Sequence, residues 1–302
     1  MGDVPPFPGA GETVALASAC TWALASVLYA RALRDRPAVE AVWFKNCVGA
    51  VILGISAWAL GTELGGGSPA LDRMPWLSVS ALLSVLVGDL LYFVSIRHIG
   101  VSRAVILSLL TPALTALAAW PLRGEQLGLL RWAGVALIVG GSAWLELRRL
   151  GRPRSDVIGL SAGLGCAVAW TCGNLTMSEG IEGVGMVSAG FFRLSVAVIG
   201  LMVVALLRGN LLPSLQRLRE AESWRRFAWP TMIGTVLGMV LYAGGYKWAP
   251  AGTAATLGTA IPVFSVPIAW WLLGERPSAR GIVATLVVLG GVACFGFAVD
   301  VS

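Results

Sequence analysis

Charge is what this chain has least of. Only 13% of its 302 residues are charged and 57% are hydrophobic, where a water-soluble domain carries roughly 25% charged residues. Mean hydropathy is +0.79. A chain this poor in charge has too little to cover a water-facing surface, and the composition is that of an integral membrane protein. Histidine occurs once, at His98, and acidic residues number 16. The alternative class, a membrane-embedded enzyme acting on a lipid or prenyl substrate, needs clustered carboxylates or His/Cys ligands near a surface, and the sequence offers none. The five cysteines (Cys20, Cys47, Cys166, Cys172, Cys294) lie inside apolar runs at no metal-ligand spacing. They read as small buried apolar residues, with neither a disulfide framework nor a metal site. Met1 to Glu12 holds no basic residue, hence no n-region of a secretory signal, and its prolines mark a short irregular tail. The net charge of +6 invites a nucleic-acid reading, but no basic patch with interleaved aromatics accompanies it. No cofactor, metal or nucleic acid is expected.

What is present is a duplication. At a shift of 150, Gly88 falls on Gly238, Leu91-Tyr92 on Leu241-Tyr242, Pro112 on Pro262, Ala119-Trp120 on Ala269-Trp270, Gly124-Glu125 on Gly274-Glu275 and Gly140-Gly141 on Gly290-Gly291. At a shift of 148, Trp22 falls on Trp170, Phe44 on Phe192 and Lys45 on Arg193. The period is far too long for a solenoid, so the chain is a doubled domain, 1–150 and 151–302.

A membrane span needs about 20 mostly apolar residues. The expected spans are 13–31, 37–60, 75–97, 101–122 and 126–147, then 157–178, 185–207, 227–248, 252–273 and 278–298. The fold class expected is therefore all-α, with ten transmembrane helices. Five crossings per repeat reverse the direction of the second copy, giving two inverted five-helix repeats with a substrate site near the midplane between them. The segment 208–226, rich in arginine and glutamate, reads either as an interfacial helix or as a solvated linker. Of the 22 basic residues, sixteen follow odd-numbered spans, four lie on the opposite side, and Lys45 and Arg193 lie within spans. The positive-inside rule puts the odd-numbered loops in the cytoplasm and both termini outside.

Ionisable residues inside a span are expensive and are functional candidates. Asp89 stands in span 3 where the second copy has Met239, so this carboxylate breaks the pseudo-symmetry. Tyr92, at i+3, shares its face, and the pair is expected to bind a cationic group or a coupling proton. Lys45 and Arg193 have two readings: snorkelling to a nearby surface, or facing the cavity to hold a carboxylate or phosphate. Asn174 and Asn46 add polar atoms at similar depth. Trp22 and Trp170, with Tyr92 and Tyr242, are repeat-related mid-span aromatics suited to wall a pocket. Trp58, Trp76, Trp132, Trp144, Trp224, Trp229 and Trp248 are expected in interfacial belts. Pro112 and Pro262 interrupt spans 4 and 9 at equivalent places, as gating helices do. Glu125 and Glu275 read as structural caps, His98 as interfacial. The glycines of spans 5 and 10 suit close packing, as scaffold or dimer contact.

The mid-span Trp in spans 1 and 6, the cation in spans 2 and 7, the proline in spans 4 and 9 and the Gly-Glu that follows resemble the EamA family of the drug/metabolite transporter superfamily over essentially the whole chain. Lys45 stands where an arginine is more usual. The resemblance implies two inverted five-helix repeats, a central cavity and alternating access. Relatives move amino acids and other small metabolites, often outward, and some exchange phosphorylated compounds. It implies an inner-membrane, multi-pass transporter, monomeric or homodimeric, whose partners are a small-molecule substrate, membrane lipid and a coupling proton.

Overall fold

The structure is a computed structural model describing residues 4–32, 38–61, 68–99, 104, 107–125, 127–147, 156–209, 211–273 and 279–296. Among these residues every regular element is helical. The first half holds α1 (Ala10–Ala32), α2 (Ala38–Ala59), α3 (Ser68–Ser80), a π-helical segment π1 (Ala81–Gly88), α4 (Asp89–Ile99), α5 (Leu110–Arg123) and α6 (Leu129–Leu147). The second holds α7 (Val157–Gly180), α8 (Met186–Leu207), α9 (Leu211–Leu218), α10 (Ala221–Pro230), π2 (Thr231–Leu237), α11 (Gly238–Trp248), α12 (Ala251–Gly258), α13 (Ile261–Leu273) and α14 (Ala279–Gly296). Among the described residues, seven runs are long and apolar enough to cross a membrane, and 129–144 and 279–295 are shorter apolar helices.

Local chemistry sets the ends. Asp156 caps α7: its backbone is extended, and its carboxylate accepts from the Ile158 and Gly159 amides at 2.9 and 3.4 Å. Gly124 closes α5 in the left-handed conformation, φ +68°, which a side chain would strain. The expected spans 3 and 8 begin earlier than their hydropathy suggests, at Ser68 and Ala221, because polar first turns continue the helix. Span 9 is corrected more substantially. It breaks at Thr259-Ala260, between α12 and α13, and Pro262 is the second residue of the helix that follows. Proline has no amide to donate and suits a first turn, so the break lies before it. Pro112, third in α5, stands in the same relation to the turn at Leu109. Residues 101–103 of span 4 lie outside the described residues. The 208–226 segment contains the short helix α9 and the start of α10.

Repeat-equivalent helices pack on one another. Gly49 of α2 approaches Leu194 of α8, while Gly54 approaches Phe191, so α2 and α8 run antiparallel. Gly134 and Gly291 bring the backbones of α6 and α14 into contact, and Gly141 meets Val288 and Ala284, again antiparallel. Gly134, Gly141 and Gly291 therefore serve packing within the chain, while Gly140 and Gly290 face open space. α1 packs along α11 and π2, and α7 packs along α3, π1 and α4. One apolar cluster gathers Leu77, Met177, Ile181, Ala243 and Tyr246 near one end of the bundle, and a second gathers Ala41, Phe44 and Phe227 near the other.

The outer surface is apolar, with Val51, Ile55, Val203 and Leu207 all exposed. Trp58, Trp76, Trp144, Trp224 and Trp229 are exposed, as are Trp120, Trp270 and Trp271. Trp132 is partly buried and packs against the core of α6 and α14. Trp248 also turns inward, with its indole nitrogen buried.

Candidate functional site

The two mid-span tryptophans make the same contact twice. Trp22 Nε1 donates to the Gly234 carbonyl in π2 at 3.0 Å, and Trp170 Nε1 donates to the Ser84 carbonyl in π1 at 3.1 Å. Both acceptors lie in widened turns, where the backbone ladder is altered: the Asp89 amide donates to the Ser84 carbonyl five residues back, and the Gly238 amide to Ile233. π segments of this kind concentrate at functional places in helices. The indoles also require the glycines beside them. A Cβ at Gly238 would stand 2.7 Å from Trp22 Nε1, and one at Gly88 would clash with Trp170. Each indole then stacks on a tyrosine, Trp22 on Tyr242 with centroids 5.6 Å apart and Trp170 on Tyr92 at 5.4 Å. The first repeat's α1 thus clasps the second repeat's π2 and α11, and α7 clasps π1 and α4.

Arg193 occupies the space between the clasps. It is 2% exposed, so the snorkelling reading fails for it: its guanidinium stays inside the protein, where partners replace water. Nη2 donates to Ser84 Oγ at 2.8 Å, Nη1 lies 3.4 Å from Met239 Sδ, and the guanidinium carbon stands 5.0 Å from the Tyr242 ring centre. Asp89 lies within electrostatic range of both Lys45 and Arg193, and the Trp170 indole faces it. Asp89 is deep in the bundle yet keeps some accessible surface. Lys45 Nζ donates to Asn46 Oδ1 at 3.4 Å. Tyr242 donates to Asn174 Oδ1 at 2.8 Å, and Asn174 Nδ2 lies 3.4 Å from Thr115 Oγ1.

The structure thus links Trp22, Tyr242, Arg193, Asn174, Asp89, Lys45, Trp170 and Tyr92 in one central region. Pro112 is buried beside Thr111, whose carbonyl lies 3.5 Å from Thr171 Oγ1 of α7; the Pro262 side chain is outside what is described. Ser84 is the residue that sequence reasoning missed. It stands opposite Gly234 in the other copy and five residues before Asp89, and only its position relative to that carboxylate could have flagged it. Among the described residues, no group of three His, Cys, Asp or Glu converges as metal ligands.

Ion pairs and hydrogen bonds tie helix ends together away from this centre. Arg73 donates to Glu182 Oε2 at 2.7 Å and to the Glu179 carbonyl at 3.0 Å. Arg123 pairs with Glu125 at 2.9 Å and with Glu179. Glu125 is a cap, but of the opposite repeat: Oε2 accepts from the Gly252 amide at the start of α12 at 3.4 Å. Glu275 lies outside the described residues. His98, at the end of α4, meets Asp156 at 2.7 Å. That contact, with the two amides of the α7 cap, holds the Asp156 carboxyl below the usual carboxylate range.

The EamA-like transporter family matches this chain twice, over residues 9–147 and 157–297. A solved structure, titled only as the crystal structure of a protein, superposes with a TM-score of 0.77 at 18% sequence identity, covering 95% of this chain and 96% of the other. That likeness carries the fold alone. No curated protein is similar enough to match.

Proposed function

The chain belongs to the EamA-like transporter family of the drug/metabolite transporter superfamily, and on that premise we propose that it is a secondary transporter of small organic metabolites, working by alternating access through a central cavity between its two repeats. Its ten spans form two inverted five-span repeats, 1–150 and 151–302. The antiparallel packing of the equivalent pairs α2/α8 and α6/α14 supports this arrangement. The chain spans the bacterial inner membrane several times, with its arginine-rich odd-numbered loops in the cytoplasm, and functions as a monomer or homodimer. The solutes are amino-acid-like and net movement is outward.

The observation that carries this reading is the cross-repeat polar centre. Asp89, Lys45 and Arg193 are costly to hold inside a membrane protein, and they meet where the halves meet, walled by Trp22, Trp170, Tyr92 and Tyr242. Asn174 orients Tyr242, Asp89 serves an ammonium or a coupling proton, and the breaks before Pro112 and Pro262 let spans 4 and 9 bend. Purified protein in proteoliposomes is expected to give saturable counterflow of labelled amino acids that unlabelled solute competes away. Absence of flux for every amino acid and related metabolite tried, from protein shown to be folded, would overturn the reading.

A further inference from the structure

The charges and hydrogen bonds at the centre do not balance, and the imbalance has a sign. Two cations, Lys45 and Arg193, neighbour one carboxylate, Asp89. Arg193 uses Nη2 on Ser84 and turns Nη1 toward Met239. Its Nε is buried with no hydrogen-bond partner among the described residues. Asn46 is fully buried, and its orientation is fixed chemically: the ammonium of Lys45 can only donate, so the amide oxygen must face it. The amide nitrogen, Nδ2, is thereby the free end, and it too lacks a partner among the described residues. Both unused nitrogens are buried donors, on the facing helices α2 and α8, in the region that holds Asp89. Buried donors left unmade are costly, a charged one most of all.

We propose that this region is a carboxylate site: the solute presents its carboxylate to Arg193 Nε and Asn46 Nδ2, with Lys45 and Asp89 in the same region. The inference rests on the transporter reading and narrows its solute class. The carboxylate is the obligatory group, the aromatic walls take an apolar body, and a solute with an ammonium but no carboxylate is not accepted. Arg193 fits the task because its guanidinium stays charged and still has Nε to donate, and four partly accessible rings lie in the same region without adding charge.

The test is thermal stabilisation of the purified protein, at fixed chloride, by four probes of one shape: 3-phenylpropionate, phenylalanine, 3-phenylpropionamide and 3-phenylpropylamine. The first two are expected to raise the melting temperature and the last two to leave it unchanged. Asn46→Leu, which keeps the volume, is expected to weaken 3-phenylpropionate about tenfold, or about 1.4 kcal/mol. The amide or the amine stabilising as well as the carboxylate overturns the proposal, as does unchanged carboxylate affinity in a folded Asn46→Leu variant. Counterflow separates the two readings. Carboxylate binding that Asn46→Leu weakens, without flux, keeps the site and removes the transporter; flux of the amine without the carboxylate does the reverse.

Discussion

The two tryptophan clasps share a frame but differ in what they hold. At one, Trp22 reaches Gly234, Tyr242 stacks on the indole and Met239 lies beside Arg193. At the other, Trp170 reaches Ser84, Tyr92 stacks on the indole, and the place of Met239 belongs to Asp89. The duplicated parts are those that build the joint between helices: indole, carbonyl, glycine and stacked ring. The parts that differ carry charge and hydroxyl. Ser84 has a side chain where Gly234 has none, and that hydroxyl anchors Arg193, so the cation of the second repeat is drawn across to the first repeat's π segment. Duplication gives a symmetric scaffold, and a few substitutions polarise its centre.

The sharpest way to break this comparison is at the equivalent cations. Removing one partner of a buried, hydrogen-bonded charge costs about 2–5 kcal/mol. Arg193→Gln is therefore expected to lower transport by about 100-fold, with Lys45→Gln well behind because Lys45 makes one long bond to Asn46. Equal losses, measured by counterflow in proteoliposomes, would show that the two cations act alike and that the Ser84 anchor is incidental.

The carboxylate comes next. Asp89→Asn keeps the shape and removes the charge, and transport is expected to fall at least about tenfold, the equivalent of about 1.4 kcal/mol. The sharper version moves the charge: Asp89→Met with Met239→Asp places a carboxylate at the other clasp, beside Arg193. The double variant is expected to recover part of what Asp89→Met alone loses. No recovery would mean that the two positions are not functionally equivalent.

A smaller effect tests the shared frame. Trp22→Phe and Trp170→Phe each delete one indole-to-carbonyl bond, worth about 1 kcal/mol, and each is expected to lower the melting temperature by about 2–4 °C. Similar stability losses with a larger transport loss for Trp170→Phe, whose indole faces Asp89, would confirm that the clasps differ in function alone.

The smallest effect lies outside the spans, at the α7 cap. Because the folded Asp156 carboxyl is held below its ordinary range, its contribution is fully present above the unfolded value of about 3.9 and is lost as pH falls through the lowered one. Wild-type stability is thus expected to drop below about pH 4 relative to Asp156→Asn, in melting curves taken at stepped pH. Parallel curves would show that the His98 contact contributes nothing.

The amino-acid sequence by itself determined the membrane class, the doubling and the identity of the costly residues, because each is a property of composition, period or depth along one helix. Asp89 against Met239, and Lys45 against Arg193, are visible from alignment of the chain with itself. What lies across a helix interface was decided only by the tertiary structure. Spacing says which residues share a face, but the crossing of α1 on π2 and α7 on π1 selects which carbonyl an indole meets. The same crossing keeps Arg193 buried against Ser84, where distance along its own helix allowed it to reach a surface. The Arg193 contact with Ser84 and the reach of Glu125 to the opposite repeat's α12 are agreements between segments over a hundred residues apart. No local pattern encodes them, because the partners that fix them come from the other half of the chain.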